Sequence, residues 1–519
     1  MTGRANGMAL VGIDGVMVEV QVGFYVGVPG LDITGLPAAS IREARFRVRS
    51  ALTACGYSWP NERMVANFAP ADLPKVGTAY DLPLAVAALS LFKVLGPDAG
   101  EGAVFYGELG LDGAVRPVPG AVNAALATRE GGRRCLYVAV ENAEEAALVP
   151  DVEVYPVATL VELVEHLLGR SELPRAAAAA SSAPGRPRVD LGSVRGQARA
   201  RRALEVAAAG GHNLLFVGPP GCGKTLLARA FPGILPRLTL EEALEVTRIH
   251  SVAGLRPTAG LRDERPFRAP HSTASYAALV GGGNPPRPGE VSLAHRGVLF
   301  LDELPEFGRA ALEALRAPLE DREVCVARSA RSVLFPSSFS LICAMNPCPC
   351  GHLGDATRDC RCTRSRIDGY RQRVSGPLLD RIDIHVEMGA VPPEDLARLP
   401  GGEPSEVVRE RVVRAHRLQR ERNRIAGRAL VNAELDLEGV HRVAPLAPEE
   451  SVYLARAGRR LGLSARGWHR VVRVARTLAD LAGDESISRQ HLAEALTYRR
   501  VDIGCRQAEG NHAGTPATR

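Results

Sequence analysis

Residues 218–225 read GPPGCGKT. Gly218, Pro219, Pro220, Gly221, Cys222, Gly223, Lys224 and Thr225 fit G-x-x-x-x-G-K-[ST] at every constrained position. The apolar run LLFV precedes them at 214–217 and a helical pattern follows, which is the strand–turn–helix context such a loop requires. The chemistry this points to is phosphate binding. Glycines let backbone N–H groups curl round an anion, and the start of the helix adds positive potential. In that arrangement Lys224 reaches the β- and γ-phosphates of ATP and the Thr225 hydroxyl sits on Mg2+. Cys222 reads as a small loop residue rather than a nucleophile.

A second element lies about 80 residues on. The run LFLDE at 299–303 is a buried strand ending in two carboxylates. Asp302 can order the Mg2+ shell and Glu303 can polarise the attacking water. A third strand-like run, SLICAMN at 340–346, delivers Asn346. Its amide can orient that water; the plain alternative is a turn before Pro347. Directly after it come two C-x-C pairs, Cys348 with Cys350 and Cys360 with Cys362, nine residues apart. Four thiolates this close can form a tetrahedral structural Zn2+ site. The spacing departs from the common C-x₂₋₄-C, and His352 can stand in for one ligand. The alternatives are a redox pair or four surface thiols without metal.

Positioning these groups takes several elements. Between 191 and 395 strand-like runs alternate with helical ones, the pattern of a parallel α/β sheet with crossover helices. Residues 171–190, SELPRAAAAASSAPGRPRVD, read as a flexible linker. Before it, 1–170 mixes a strand at 16–22, a helix at 40–53 with Ser40 as N-cap, an apolar helix at 81–94, a buried strand at 134–140 and a closing helix at 159–168. Past a Pro- and Gly-rich boundary at 391–406, residues 396–506 read as an all-α lid, and 507–519 as a disordered tail.

Composition sets outer limits. Of 519 residues, 64 are Lys or Arg and 58 Asp or Glu, a net +6 that excludes a histone-like protein and argues for no partner by itself. Only Lys75, Lys93 and Lys224 are lysines. No apolar stretch is long enough to span a bilayer, and residues 1–12 lack the long apolar run of a secretory signal. Ten cysteines are too sparse for a disulfide scaffold, so a cytoplasmic location is expected.

Two further stretches, VGGGNPPRPGEVSLAHRGVLFLDE at 280–303 and SGPLLDRIDIHV at 375–386, carry a family resemblance. With the phosphate loop, they resemble the magnesium-chelatase-like AAA+ ATPases, and the YifB/ComM family in particular, across essentially the whole chain. The resemblance implies a homo-oligomeric ring, a hexamer, with ATP sites at subunit boundaries. Arg381 would then project into the neighbour's site, where a guanidinium meets phosphate oxygens in pairs. An ordinary ion pair with Asp380 or Asp383 is the alternative. The stretch LSARGWHRVVRVARTLADL at 463–481 resembles the family's lid helix, with Arg466 as second-sensor arginine and Arg470, four residues on, as the other choice.

Residues 323–335 alternate, turn and alternate again, which reads as a hairpin, and the resemblance implies that it points into the pore of the ring. Arg328 and Arg331 near its tip would grip single-stranded or branched DNA by its phosphates, without reading sequence; a solvated turn is the bland reading. Arg268 and His271 are weaker DNA contacts. A helix expected at 406–428 carries eight arginines against three glutamates, which is either a solvated face or a DNA-facing one. Residues 66–86 and 107–118 resemble a Lon-protease-like domain. Ala79 stands where its nucleophile would be, and Val122 or Asn123 where its lysine would be, so the domain would be non-proteolytic. Lys75 nearby reads as a phosphate contact or a structural turn. The implied activity is that of an ATP-hydrolysing DNA motor with no membrane role, promoting branch migration of recombination intermediates as in natural transformation. A chelatase-type motor subunit and a protein-remodelling chaperone are the rivals.

Overall fold

Short strands that are apolar along nearly their whole length are stable only when both faces of their sheet are covered. Leu214–Val217, Val298–Leu301 and Ser340–Met345 are such strands, buried along nearly their whole length. They form a parallel sheet in the order Phe267–Arg268, Val298–Leu301, Ser340–Met345, Leu214–Val217, Ile384–Glu387. Alternate side chains go to opposite faces. Leu214 and Phe216 join the core under helices Ala198–Gly210 and Lys224–Ile234, while Leu215 and Val217 join a second core with Leu279, Phe307 and Leu312. The expected α/β architecture is therefore present.

The computed structural model describes residues 2–36, 38–177, 189–255, 261, 263–328, 331–355, 358–390, 401–425 and 428–499, with Ala39, Arg328, Arg331, Ile425 and Arg428 as backbone only. Most of the stretch expected as a linker, residues 391–400 of the softer boundary and the expected tail lie outside the described residues. Among them no helix is long and apolar enough to cross a membrane.

The N-terminal unit holds a four-stranded sheet in the order Thr2–Val11, Asp14–Tyr25, Arg63–Ala69, Gly30–Thr34. A parallel three-stranded sheet of Ala103–Tyr106, Cys135–Ala139 and Glu153–Val157 lies beside it. The Thr2–Val11 strand was not expected. Its sequence TGRANGMALV is poor in β-formers, and Gly3 shows why: a Cβ there would sit 1.9 Å from the Ala87 carbonyl oxygen. Here close backbone approach to helix Asp81–Leu91 takes precedence over propensity. Ser40 is not a cap. The helix runs Ala39–Ala54 from N-cap Ala38, and the Ser40 hydroxyl accepts from the Gly77 amide at 3.3 Å instead. The closing helix Leu160–Leu167 is capped by Thr159. The turn between the first two strands reaches the parallel α/β core: Ile13 packs on its second apolar cluster, and Arg248 binds Asp14 at 2.7 Å.

The C-terminal part is mostly helical, with helices Ser405–Arg422, Leu437–Val443, Pro448–Leu461, Ala465–Ala482 and Arg489–Thr497. It is not all helix. The one expected to run to 428 ends at Arg422, because buried Asn423 turns to bond Asn432 at 3.0 Å. A short antiparallel pair, Arg424–Ile425 with Arg428–Ala429, follows. Buried Asp480 fixes helix Ala465–Ala482 against this region. It accepts from Arg422 at 2.6 and 3.0 Å, from Arg476 at 3.0 Å and from Asn432 at 2.8 Å. Asp480→Ala leaves buried Arg476 and partly buried Arg422 without a carboxylate partner, and urea unfolding should show a loss of about 3–5 kcal/mol. A loss under about 1 kcal/mol would remove Asp480 as the anchor of this helix.

Candidate nucleotide-binding site

Strand Leu214–Val217 ends at the phosphate loop, and helix Lys224–Ile234 leaves it from N-cap Gly223. The loop's glycines are required for two different reasons. Gly221 and Gly223 have φ of +79° and +95°, with open space where a Cβ would go, so conformation alone demands them. Gly218 is required by contact: its Cβ would lie 2.6 Å from the Met388 carbonyl oxygen.

Lys224 is 8% exposed. Its Nζ donates to the carbonyls of Gly218 at 2.6 Å and Pro219 at 2.9 Å, and to Asn346 Oδ1 at 3.1 Å. Burial pulls its ammonium below the ordinary lysine value. The Thr225 hydroxyl donates to Asp302 Oδ2 at 2.7 Å. Glu303 follows with φ +53° and ψ +47°, a left-handed conformation that costs a non-glycine residue about 1 kcal/mol or more. Its amide donates to Asp302 Oδ1 at 2.9 Å, and its side chain stays exposed. Lys224, Thr225, Asp302, Glu303 and Asn346 thus meet at the carboxyl ends of three adjacent strands.

This arrangement fits a Mg2+-bound nucleoside triphosphate. The start of helix Lys224–Ile234 adjoins a lysine amine that rests on loop carbonyls, beside a hydroxyl–carboxylate pair. Thr225 and Asp302 are the groups that would hold Mg2+, which when bound neutralises phosphate charge.

Sequence reasoning missed Gln197. Its Nε2 donates to the Cys222 carbonyl at 3.2 Å and to that of Gly389 at 2.8 Å, tying the loop to the edge strand's exit. Gly196 and Gln197 both take positive φ before helix Ala198–Gly210, but nothing local in the sequence marks the Gln197 contacts, which are made to distant residues.

Arg381 and Arg466 are not at this chain's own phosphate loop. Asn213 directly precedes the phosphate-loop strand, and its side-chain amide donates to the Arg381 carbonyl at 2.9 Å. Arg381 therefore lies at the amino ends of the strands, about 13 Å along the sheet from the loop for a four-residue strand. It lines a cleft of about 930 Å³ together with Asn213, Asp383, Arg466, Arg470 and Arg473. Eleven arginines and six carboxylates line this cleft, which leaves a surplus of cations there. Arg381 donates to the Pro377 carbonyl at 2.6 Å and pairs with Glu320, not with Asp380 or Asp383. Arg381 Nε, Arg470 Nη1 and Arg473 Nε are buried without a hydrogen-bond partner. Burial pushes the Asp383 carboxyl up, but the His212 hydrogen bond and the charges of Arg470 and Arg473 outweigh it and hold it at about 2. Arg466 and Arg470 share one helix face over this cleft, Arg466 at the exposed mouth and Arg470 within 3.5 Å of Asp383.

Other expected contacts resolve differently. Lys75 is fully buried and donates to the Pro70 carbonyl, so it is a structural lysine and not a phosphate contact. Arg268 is held by Glu290 at 2.6 and 2.7 Å, while His271 lies exposed and bonded to Thr273. Arg411 is tied to Glu205 and Glu403, and Arg422 to Asp480, so the arginine-rich helix turns part of its charge inward. Residues 323–336 form the expected hairpin, Glu323–Arg328 with Arg331–Pro336, pairing Arg328 opposite Arg331. Ala79 and Val122 sit in one apolar cluster, and Asn123 is buried beside them with its amide on the Ile13 carbonyl. The four cysteines lie together, and His352 is outside their group, bound to Asp355 at 3.0 Å.

A parallel sheet with a phosphate loop and a strand-end carboxylate pair defines the class: a P-loop ATPase of the AAA+ type. Three family profiles match: "Magnesium chelatase, subunit ChlI" over 190–396, "Subunit ChlI of Mg-chelatase" over 18–142 and its C-terminal counterpart over 402–499. The chain is 42% identical over 498 residues to "Competence protein ComM" of Haemophilus influenzae, covering 95% of this chain and 96% of that one. It is 42% identical to "Uncharacterized protein YifB" of Escherichia coli over 95% and 96% of the two chains. To "Uncharacterized protein Rv2897c" of Mycobacterium tuberculosis it is 44% identical over 96% and 99%. The chain belongs to the YifB/ComM family of magnesium-chelatase-like proteins.

Proposed function

We propose that this protein is a ring-forming ATP-driven motor acting on DNA in the cytoplasm, a branch-migration helicase of recombination and natural transformation. The observation that carries the ring is the separation of Lys224 from Arg381 across the sheet. A phosphate group at one loop is completed by an arginine from the next subunit, and repetition of that contact closes a ring, read here as a hexamer. Lys224 holds the β- and γ-phosphates, Glu303 draws a proton from the attacking water, and Asn346 orients that water. Arg381 stabilises the charge that develops in transfer, with Arg466 or Arg470 beside it. The DNA half of the reading rests on the similarity to a competence protein and on two arginines at the hairpin end. Such a pair grips backbone phosphates of any sequence. The N-terminal unit is read as a non-proteolytic, Lon-protease-like scaffold, supported by the apolar surroundings of Ala79 and Val122.

The test is movement of a synthetic Holliday junction with ATP, run beside Glu303→Gln. The wild type should move the branch. The variant should bind DNA without moving it, and binding should weaken steeply with salt. ATPase unchanged by any DNA, with no branch movement, would remove the DNA motor. It would favour the second reading, a chelatase-type motor subunit, which the profile names support.

A further inference from the structure

The loop that follows Asn346 has no helix or strand among its described residues until helix Arg364–Arg371. A segment of that length without regular structure needs some other closure to hold one conformation. Its four sulfurs supply one. Cys348 Sγ lies 3.4 Å from Cys350 Sγ and 3.6 Å from Cys360 Sγ, and the latter two are 3.7 Å apart. All four Sγ atoms, Cys362 included, lie within 4.8 Å of one another. A tetrahedron with Zn–S bonds of about 2.3 Å has edges of about 3.8 Å, whereas a disulfide needs about 2.05 Å. Backbone amides aim at the sulfurs as well: those of His352 and Arg361 at Cys350, that of Cys362 at Cys360, and that of Cys350 at Cys362. Such donors stabilise metal-bound thiolates from outside the coordination sphere.

The loop also touches the nucleotide site at two points. Cys348 is two residues past Asn346, whose side chain holds Lys224 Nζ. Gly351, at φ +84°, lies so close to the phosphate loop that a Cβ would be 2.7 Å from Pro220 Cδ. The cluster therefore backs onto the loop that would grip phosphate.

We propose that Cys348, Cys350, Cys360 and Cys362 bind one Zn2+ ion, and that this ion holds Asn346 against Lys224 and Gly351 against Pro220, so that metal occupancy sets nucleotide affinity. The clamp rests on the reading of the Lys224 site as the ATP site; the metal site stands apart from it. Zinc fixes Asn346 and Gly351 before nucleotide arrives, so less ordering accompanies binding. Without zinc the same groups must be ordered at the moment of binding.

The experiment measures zinc by mass spectrometry and the affinity for a fluorescent ADP analogue, on three full-length proteins. The wild type should carry about one zinc per chain. A Cys360→Ser, Cys362→Ser variant should lose it and bind nucleotide about tenfold more weakly. Gly351→Ala should keep its zinc and still bind nucleotide more weakly, because the new methyl pushes on Pro220. If the cysteine variant fails to fold, stripping zinc from the wild type with a chelator and restoring it gives the same comparison reversibly. Less than half an equivalent of zinc in the wild type overturns the metal site. Zinc present, with nucleotide affinity unchanged on stripping and in Gly351→Ala, overturns the clamp. Zinc present in a wild type that binds no nucleotide overturns the ATP-site reading and leaves the metal site standing.

Discussion

Replacing Lys224 with alanine should lower ATP hydrolysis by about a thousandfold or more. The amine is buried at the head of the loop, and three of its neighbours are acceptors within 3.1 Å: two loop carbonyls and Asn346. Desolvation already makes its charged form less comfortable, so a phosphate oxygen arriving at that amine gains a strong partner in a low-dielectric setting. Alanine supplies no charge there and leaves Asn346 without its contact. Phosphate release measures the loss. Thermal unfolding with and without ATP measures binding separately, since a ligand that binds only the folded state raises its stability. Turnover within tenfold of the wild type would sink the assignment of Lys224.

Arg381→Ala should cost about 10³–10⁵ in turnover, the range for a charge-stabilising arginine in phosphoryl transfer, while nucleotide binding to the isolated subunit stays close to normal. The reason is position. The residue lies at the opposite end of the sheet from its own phosphate loop, in a cleft with surplus arginines and buried unpaired guanidinium donors. A mixture separates this role from a structural one. Lys224→Ala and Arg381→Ala should each be inactive alone. Mixed, some contacts join an intact loop to an intact Arg381, and part of the turnover should return. Mixtures that assemble and show no recovery would exclude action on a neighbour, and full activity of Arg381→Ala alone would exclude any catalytic part for it.

What could be read directly from the chain was whatever is local and contiguous. The phosphate loop was legible because its eight residues, the strand before it and the helix after it are consecutive. The carboxylate strand at 298–301 and the hairpin at 323–336 were legible through short-range apolar and alternating patterns. What could not be read depends on a distant partner. Gln197 acts through Cys222 and Gly389, Arg268 is engaged by Glu290, and the arginine helix stops where Asn423 meets Asn432. The first strand holds despite a glycine-rich sequence because a helix lies directly behind it. Lys75 looked available beside a turn and is fully buried. The cysteine spacing announced a cluster, but only the fold brings both pairs to one point and sets that point against the phosphate loop.

The placement of the three lysines has a consequence for chemical modification. Lys75 is sealed inside the N-terminal unit and Lys224 is almost covered, while Lys93 is exposed. Among the described lysines, then, a single side-chain amine faces solvent on a surface whose other cations are arginines. Acylating and cross-linking reagents that seek amines will find little else to attack, and enzymes that acetylate or tag lysine meet the same scarcity. Such a surface keeps its positive charge where a lysine-rich one would be open to neutralisation. Lys224 becomes a natural reporter: any reagent that reaches it does so because the loop around it has opened.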